Sequence, residues 1–218
     1  MNKLRLRYSK TGRAKYISHL DLMATMKRTL LRAGVRLKYS EGFNPHPYMS
    51  VALPLPVGAA SVCELMDFGT EERLLPDGIP EILNAVLPEG LDILDAYISE
   101  RKFGDIAWID ISGNLFYDHG APPDIAESLA GRFSEENIAI MKKTKRGTSS
   151  IDIAPLVHDA RFQFNGEVTM SARISAQNPS ITPEDMMNAL DGVYAALAPD
   201  FAMFTRTELF GADMSQFR

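Results

Sequence analysis

The order of strand-type and helix-type patterns along the chain restricts its fold more than any single motif does. Residues 3–8 (KLRLRY) alternate charged and apolar side chains, which predicts a strand with one solvated face. Ser18 and Asp21 form a capping-box pattern, which predicts the start of a helix, and Gly34 supplies the left-handed residue at which such a helix ends. Between these ends, apolar residues at helical spacing predict the buried face: Leu20, Met23, Met26, Leu30 and Ala33.

The order β-α-β-β-α-β is expected twice. In the first half, extended segments are expected at residues 14–17, 35–40, 49–53, 62–68 and 91–99, with a second helix from Pro80. The second half repeats the order less clearly, with helices at residues 122–133 and 182–196 and strands at residues 107–117, 138–143, 150–153, 161–176 and 203–210. We therefore predict an α+β protein of two tandem ferredoxin-like βαββαβ sandwiches. The predicted units are residues 1–101, which carry the basic segment, and residues 107–218, joined by a linker at residues 102–106.

Positive charge is concentrated in the first fifty residues. That segment holds eleven lysines and arginines against Asp21 and Glu41, a formal charge of +9. Residues 51–218 hold 12 basic and 26 acidic residues, a formal charge of −14. This asymmetry favours a positive face directed at phosphates or at an acidic partner.

The composition argues against several classes of protein. The first ten residues lack the apolar segment of a signal peptide, and the longest segment without Asp, Glu, Lys or Arg, residues 42–63, contains four prolines. No membrane helix is therefore expected, and the expected location is the cytoplasm. Cys63 is the single cysteine, which rules out an internal disulfide and a cysteine-ligated zinc or iron–sulfur site within this chain. The Walker A, GxGxxG, GxSxG and HExxH motifs are absent.

The segment YSEGFNPHPYMS, residues 39–50, predicts a stiff connection between two strands. His46 lies between Pro45 and Pro47, and each proline fixes its own φ and restricts the residue before it. A side chain on so rigid a backbone loses little entropy on binding. The segment suits stacking on a base and hydrogen bonding to its edge, and the candidate side chains are Phe43, Asn44, His46 and Tyr48. The alternative is a structural loop in which Phe43 fills the core and His46 caps a strand end.

Two groups of basic side chains are predicted to contact phosphates. In the first, Arg28 and Arg32 carry like charges one helical turn apart, which is unfavourable unless an anion covers them. The second is a basic segment before Gly147, in the otherwise acidic second half. The candidate phosphate contacts are Arg13, Lys15, Lys27, Arg28, Arg32, Lys38, Lys142, Lys143, Lys145 and Arg146.

Two histidines are weak candidates for catalysis. His19 is expected at the first helical position, where the helix dipole disfavours the protonated imidazole. With His46 it would supply the base and the acid of a metal-independent RNA cleavage. The alternative is that His19 is a packed, hydrogen-bonded residue. No carboxylate cluster accompanies the two histidines, and no metal site is expected.

Residues 10–58, from KTGRAKYISHLDLMATMKRTLLRAG to LKYSEGFNPHPYMSVALPLPVG, resemble the N-terminal signature of the radical-SAM-linked proteins. This family is a domain of unknown function, encoded beside or fused behind a radical SAM protein with a cobalamin-binding-like domain. Lys142–Arg146 with Ser150–Ile153, and Thr182–Asp185, are more loosely similar, and Thr182 stands where the family pattern has a basic residue. The resemblance implies a radical SAM partner, which would carry an iron–sulfur cluster and S-adenosylmethionine. This chain itself is expected to bind no cofactor.

These observations lead to three hypotheses about function. The first is an RNA-binding accessory module that acts with a radical SAM partner in tRNA or rRNA modification and has no catalytic activity of its own. The second is a small endoribonuclease that uses His19 and His46. The third is an adaptor whose basic half docks onto an acidic surface of the radical SAM protein without contacting nucleic acid.

Overall fold

The computed structural model describes residues 2–144 and 147–218, and the side chains of residues 143 and 144 are outside that description. The chain divides into two compact units, Met1–Phe103 with Arg218, and Gly104–Phe217. Each unit combines helices with an antiparallel sheet, so the fold class is α+β. No helix in the described ranges is long and apolar enough to cross a membrane.

Unit 1 contains four strands and two helices in the order β-α-β-β-α-β. Its strands pair antiparallel in the order β4-β1-β3-β2, with Leu6 of β1 opposite Met66 on one side and Ala96 on the other. The elements are β1 (Asn2–Lys10), α1 (His19–Arg32), β2 (Met49–Val51), β3 (Ala60–Thr70), α2 (Ile79–Asn84) and β4 (Leu91–Tyr97).

The core of unit 1 lies between one face of this sheet and the helices. Alternate residues of β1 point into it, because successive side chains of a strand lie on opposite faces. The buried cluster includes Leu4, Leu6 and Tyr8 of β1, Leu22, Met26 and Leu30 of α1, Met66 and Phe68 of β3, Leu83 of α2 and Ile93 of β4.

The buried face of α1 differs from the predicted one. The helix begins after the predicted Ser18 cap and ends before Gly34, whose φ is +79°. Its buried residues are Leu22, Met26, Thr29 and Leu30, whereas Leu20 is 78% exposed. The local signals therefore fix the ends of the helix, while its packing on the sheet determines which face is buried.

Two segments predicted as extended chain have other structures. Residues 35–40 form only isolated bridges, Leu37 with Thr70 and Tyr39 with Pro47. Residues 14–17 fall mostly within a 3-10 turn, Gly12–Tyr16. The buried ammonium of Lys10 holds this turn, because it donates to the carbonyl oxygens of Lys15 at 3.2 Å and of Ile17 at 3.1 Å.

A buried ion pair lies in the sheet of unit 1. Arg5 of β1 is directly opposite Asp67 of β3, and two nitrogens of its guanidinium donate to the carboxylate at 2.7 and 3.0 Å. Arg5 also donates to Ser99 Oγ at 2.9 Å and to the carbonyl oxygen of Arg101 at 2.8 Å. Lys3 Nζ lies 2.6 Å from the same carboxylate. This cluster ties the chain after β4 to the first strand.

Removing the Asp67 carboxylate is expected to destabilise unit 1 strongly. Asp67→Ala leaves the Arg5 guanidinium, whose side chain is 1% exposed, without its ion partner, and breaking a buried pair in this way costs about 3–5 kcal/mol. The measurement is the free energy of unfolding, from urea titration followed by circular dichroism. The control, Glu72→Ala, removes a carboxylate from the exposed Arg36 pair and should cost less than about 1 kcal/mol. Equal losses in the two variants would contradict this prediction.

Unit 2 contains four strands that pair antiparallel in the order β10-β5-β9-β8, and a separate hairpin of β6 and β7. Thr182 and Asp185 form a capping box at the start of its second α-helix. The elements are β5 (Ile106–Phe116), α3 (Ile125–Arg132), β6 (Ala139–Thr144), β7 (Gly147–Asp152), β8 (Val157–Phe164), β9 (Val168–Ser175), α4 (Pro183–Asn188) and β10 (Phe201–Gly211).

Two predictions for unit 2 are wrong in detail. The single strand expected at residues 161–176 is the hairpin of β8 and β9, which turns at Gly166 with a φ of +83°. The helix expected to reach residue 196 ends at Asn188 and is followed by a 3-10 helix, Gly192–Leu197. Gly192 has a φ of +69°, which an α-helix does not accommodate.

Tyr117 makes unit 2 sensitive to alkaline pH. Its hydroxyl donates to the carbonyl oxygen of Leu197 at 2.9 Å, and burial, with a smaller contribution from Asp200, raises the pKa of Tyr117 to about 12. The unfolded chain releases this proton near pH 10, whereas the folded chain retains it. The contribution of Tyr117 to stability is therefore complete below about pH 10 and is lost as the pH rises toward about 12. In Tyr117→Phe, the melting temperature should fall less steeply between about pH 10 and pH 12 than in the parent protein. An unchanged slope would contradict the role given to Tyr117.

Candidate nucleic-acid interface

Backbone hydrogen bonds close the predicted loop at its base. Tyr48 N donates to the carbonyl oxygen of Lys38 at 2.9 Å, and Ser40 N donates to the carbonyl oxygen of His46 at 2.8 Å. The Ser40 hydroxyl in turn accepts a hydrogen bond from His46 N at 3.0 Å. Two bonds to Gly69 fix the base of the loop to β3. Residues 41–45 are therefore held at both ends by hydrogen bonds that the sequence did not predict.

The side chains of this loop point into solvent. Phe43 is 112% exposed and Tyr48 is 41% exposed, and Asn44 and His46 are also exposed. The alternative in which Phe43 fills the core is therefore wrong. Gly42 precedes it with a φ of +113°, a conformation that side chains rarely adopt.

Two lysines lie beside the loop. Lys27 of α1 has its Nζ 5.3 Å from the centroid of the Tyr39 ring, which connects the helix to the base of the loop. Lys38 is exposed, and its backbone is part of the ladder that closes the loop. We refer to Lys27, Lys38, Phe43, Asn44, His46 and Tyr48 together as the loop surface.

Hollows adjoin the loop surface on both sides. One, of about 300 Å³, is lined by Pro47, Tyr48 and Met49 together with Lys3 and Phe68. The other, of about 560 Å³, is lined by Asn2, Lys38, Tyr39, Thr70 and Glu71. Sequence reasoning did not name Lys3 or Tyr39 as site residues. Lys3 lies here because β1 pairs antiparallel with β3. Tyr39 begins the segment 39–50, but nothing in the sequence showed that it lines a hollow.

Apart from Arg7, the other basic residues of the first fifty fall into two sets. One set is already paired: Lys3 and Arg5 with Asp67, Arg36 with Glu72 at 2.9 Å, and Lys10 with backbone carbonyls. In the other set, Lys15 lies over the Tyr16 ring, while Arg13, Arg28 and Arg32 are exposed. Across residues 2–144 and 147–218, no carboxylate forms an ion pair with Arg13, Arg28, Arg32 or Lys38.

The basic segment of unit 2 is only partly described. Lys142 Nζ lies 2.6 Å from Asp185 Oδ2 and donates to the carbonyl oxygen of Ser180 at 2.8 Å. A phosphate would have to displace these partners. The side chain of Lys143 and the whole of Lys145 and Arg146 lie outside the described residues.

The two histidines of the ribonuclease hypothesis are both exposed. His19 is the first residue of α1, and His46 closes the loop through its backbone. Ser18 caps the helix by accepting from Asp21 N at 3.1 Å. In the part of the chain that the structure describes, no hydrogen bond joins either imidazole to the other or to a carboxylate.

Comparison with known proteins assigns the chain to a family. Residues 3–183 match a family described as "Uncharacterized protein conserved in bacteria (DUF2344)". The chain belongs to the DUF2344 family. No curated protein matches it. A solved structure, "Crystal Structure of an Unknown Protein from Galdieria sulphuraria", is 10% identical over 94% of this chain and 98% of the other, with a TM-score of 0.25. The family description names no activity, and the link of DUF2344 to a radical SAM partner stays a prediction from the resemblance.

The Ser40 hydroxyl is expected to slow the opening of the loop. Ser40→Ala removes the acceptor of His46 N, and a hydrogen bond of this kind contributes about 0.5–1.5 kcal/mol. The His46 amide should therefore exchange with deuterium roughly two- to tenfold faster, as measured by NMR. Ser50→Ala, on exposed strand β2, is the control and should leave the His46 rate unchanged. An equal rate in Ser40→Ala and the parent protein would show that the hydroxyl does not hold the loop.

Proposed function

We propose that unit 1 binds single-stranded RNA through the loop surface. The observation that carries this proposal is the position of Phe43, a fully exposed aromatic ring on a loop held at both ends and flanked by Lys27 and Lys38. A large apolar side chain in this position gains nothing for the fold, because it buries no surface.

The chemistry of the loop surface matches the requirements of an unpaired base. Stacking of a base on an aromatic ring contributes about 1–3 kcal/mol and tolerates any sequence. Asn44 and His46 carry donors and acceptors suited to base edges, and the two lysines suit the flanking phosphates. The hollow beside Tyr48 offers space for a neighbouring nucleotide. Because the loop is held at its base, little conformational entropy is lost on binding.

We also infer that each unit is a ferredoxin-like sandwich. Unit 1 has the order β-α-β-β-α-β and the strand order β4-β1-β3-β2. Unit 2 has the equivalent strand order once the hairpin of β6 and β7 is treated as an insertion after α3. RNA-binding domains of similar architecture exist, but this analogy does not by itself support the function.

The proposal extends to a radical SAM partner on the strength of the residues 10–58 resemblance. In this arrangement the DUF2344 chain holds tRNA or rRNA while the partner supplies the cluster and S-adenosylmethionine. Cys63 is buried and is the single cysteine, so the chain cannot supply the cysteines of such a cluster. In this proposal the chain is an accessory module and the reaction belongs to the partner.

The test is fluorescence anisotropy of a labelled single-stranded RNA and its duplex against salt concentration. The parent protein should bind the single strand more tightly than the duplex. The logarithm of its affinity should fall with the logarithm of the salt concentration, with a slope of about 0.7 for each phosphate contacted. Lys38→Ala should reduce that slope by about 0.7, while Phe43→Ala should weaken binding roughly 5- to 150-fold with little change in slope.

Two controls match these variants. Arg36→Ala removes one charge from an exposed ion pair of the same unit, and Tyr16→Ala removes an aromatic ring that is 62% exposed outside the loop. Both should bind RNA as the parent protein does. Undetectable RNA binding at the lowest salt, or unchanged affinity in Phe43→Ala, would overturn the proposed function.

A further inference from the structure

The solvent-facing side of α1 is apolar at its centre. Leu22, Met26, Thr29 and Leu30 face the core, and the direction opposite to them is occupied by Leu20, Ala24 and Leu31. Leu20 is 78% exposed and Leu31 is 47% exposed. A surface helix ordinarily has charged or polar residues there. In the part of unit 1 that the structure describes, two leucines on this side of α1 therefore remain exposed.

These residues form a continuous row. Leu20, Ala24, Lys27 and Leu31 are spaced by four, three and four positions, and residues three or four apart on a helix are neighbours. The row extends along the helix for about 16 Å. Single exposed leucines are common on protein surfaces. Leu20 and Leu31 share one outer side of the helix, with Ala24 and Lys27 between them, at the spacings of four, three and four that helices use when they pack together.

Cations flank this row. Arg28 and Arg32 lie on one side of it, one turn apart, and Lys27 lies within it toward the loop. The single carboxylate of the helix, Asp21, accepts a hydrogen bond from the Ser18 hydroxyl at 2.8 Å. No acid in the described residues pairs with either arginine. We refer to Leu20, Ala24, Arg28, Leu31 and Arg32 as the α1 surface.

We propose that the α1 surface docks an acidic amphipathic helix of a partner protein. The apolar row would pack against apolar side chains of that helix, and Arg28 and Arg32 would pair with carboxylates at its edge. This inference goes beyond RNA binding and does not rest on it. In this proposal Arg28 and Arg32 contact a partner protein, whereas the sequence analysis predicted that they contact phosphates.

Other occupants fit the α1 surface less well. RNA would satisfy the arginines but leave Leu20 and Leu31 in water. A second copy of the chain would bring the same cations together, which is unfavourable. A lipid surface requires a broad apolar side, and the broad apolar side of α1 is buried in the core of unit 1.

The first experiment uses a labelled synthetic helix of about six turns as the probe, with leucines along one side and glutamates flanking them. Fluorescence anisotropy should show saturable binding to the full chain. Leu20→Glu with Leu31→Glu should abolish it, whereas Leu75→Glu, which changes a leucine that is 67% exposed elsewhere in unit 1, should not. Arg28→Glu with Arg32→Glu should bind tenfold or more weakly to this probe and should bind the same helix with lysines in place of glutamates. Absence of binding, or equal binding by all variants, would overturn the inference.

The second experiment identifies the occupant in the cell. A photo-crosslinking amino acid replaces Ala24 in one variant. In the control variant it replaces Ile82, an exposed residue of α2. Crosslinks from position 24 to an acidic amphipathic segment of a protein, lost with Leu20→Glu, would support the proposal. Crosslinks from position 24 to RNA, lipid or a second copy, or no crosslinks, would overturn it. Phe43→Ala should affect RNA binding alone, so failure of this inference is distinguishable from failure of the proposed function.

Discussion

The buried pair of Arg5 and Asp67 is the interaction on which unit 1 depends. A guanidinium taken out of water is stable only where a carboxylate and further acceptors surround it. Asp67, Ser99 and the Arg101 carbonyl provide that environment, and they come from β3 and from the chain after β4. One side chain on the first strand therefore fixes the register of its neighbour and the path of the segment at the end of the unit.

Burial of Arg5 also means that the formal charge of the first fifty residues overstates how much positive charge reaches the surface. A count from the sequence treats every lysine and arginine alike, whereas Arg5 and Lys10 are buried and Arg36 is paired. Three of the exposed cations that have no ion pair in the described residues belong to two different surfaces. Lys38 lies at the base of the loop, and Arg28 and Arg32 lie beside two exposed leucines on α1. One segment of DUF2344 sequence thus presents two surfaces of different chemistry.

The sequence predicted those features of the fold that depend on residues close together in the chain. The Ser18 cap and the Gly34 helix end depend on residues close together in the chain, and the structure contains both of them. The buried state of Lys10, the exposure of Leu20 and the turn that divides residues 161–176 were missed. The first two depend on contacts with residues distant in sequence, which periodicity alone could not reveal. The turn has a local signal, Asn165-Gly166 between two alternating segments, and reading residues 161–176 as one strand overlooked it.

The hydrogen bonds between Ser40 and His46 separate the exposed end of the loop from the residues that pack in unit 1. Residues 41–45 lie beyond the last cross-loop hydrogen bond, and they add nothing to the buried core of unit 1. Replacing exposed side chains among them changes the groups presented to solvent while the strands and helices beneath retain their packing, with the exception of Gly42, whose φ of +113° disfavours any side chain. Replacing the exposed side chains of Phe43 and Asn44 is therefore expected to leave the thermal stability of unit 1 unchanged, so any effect of such a replacement on binding reports on the loop itself rather than on the fold beneath it.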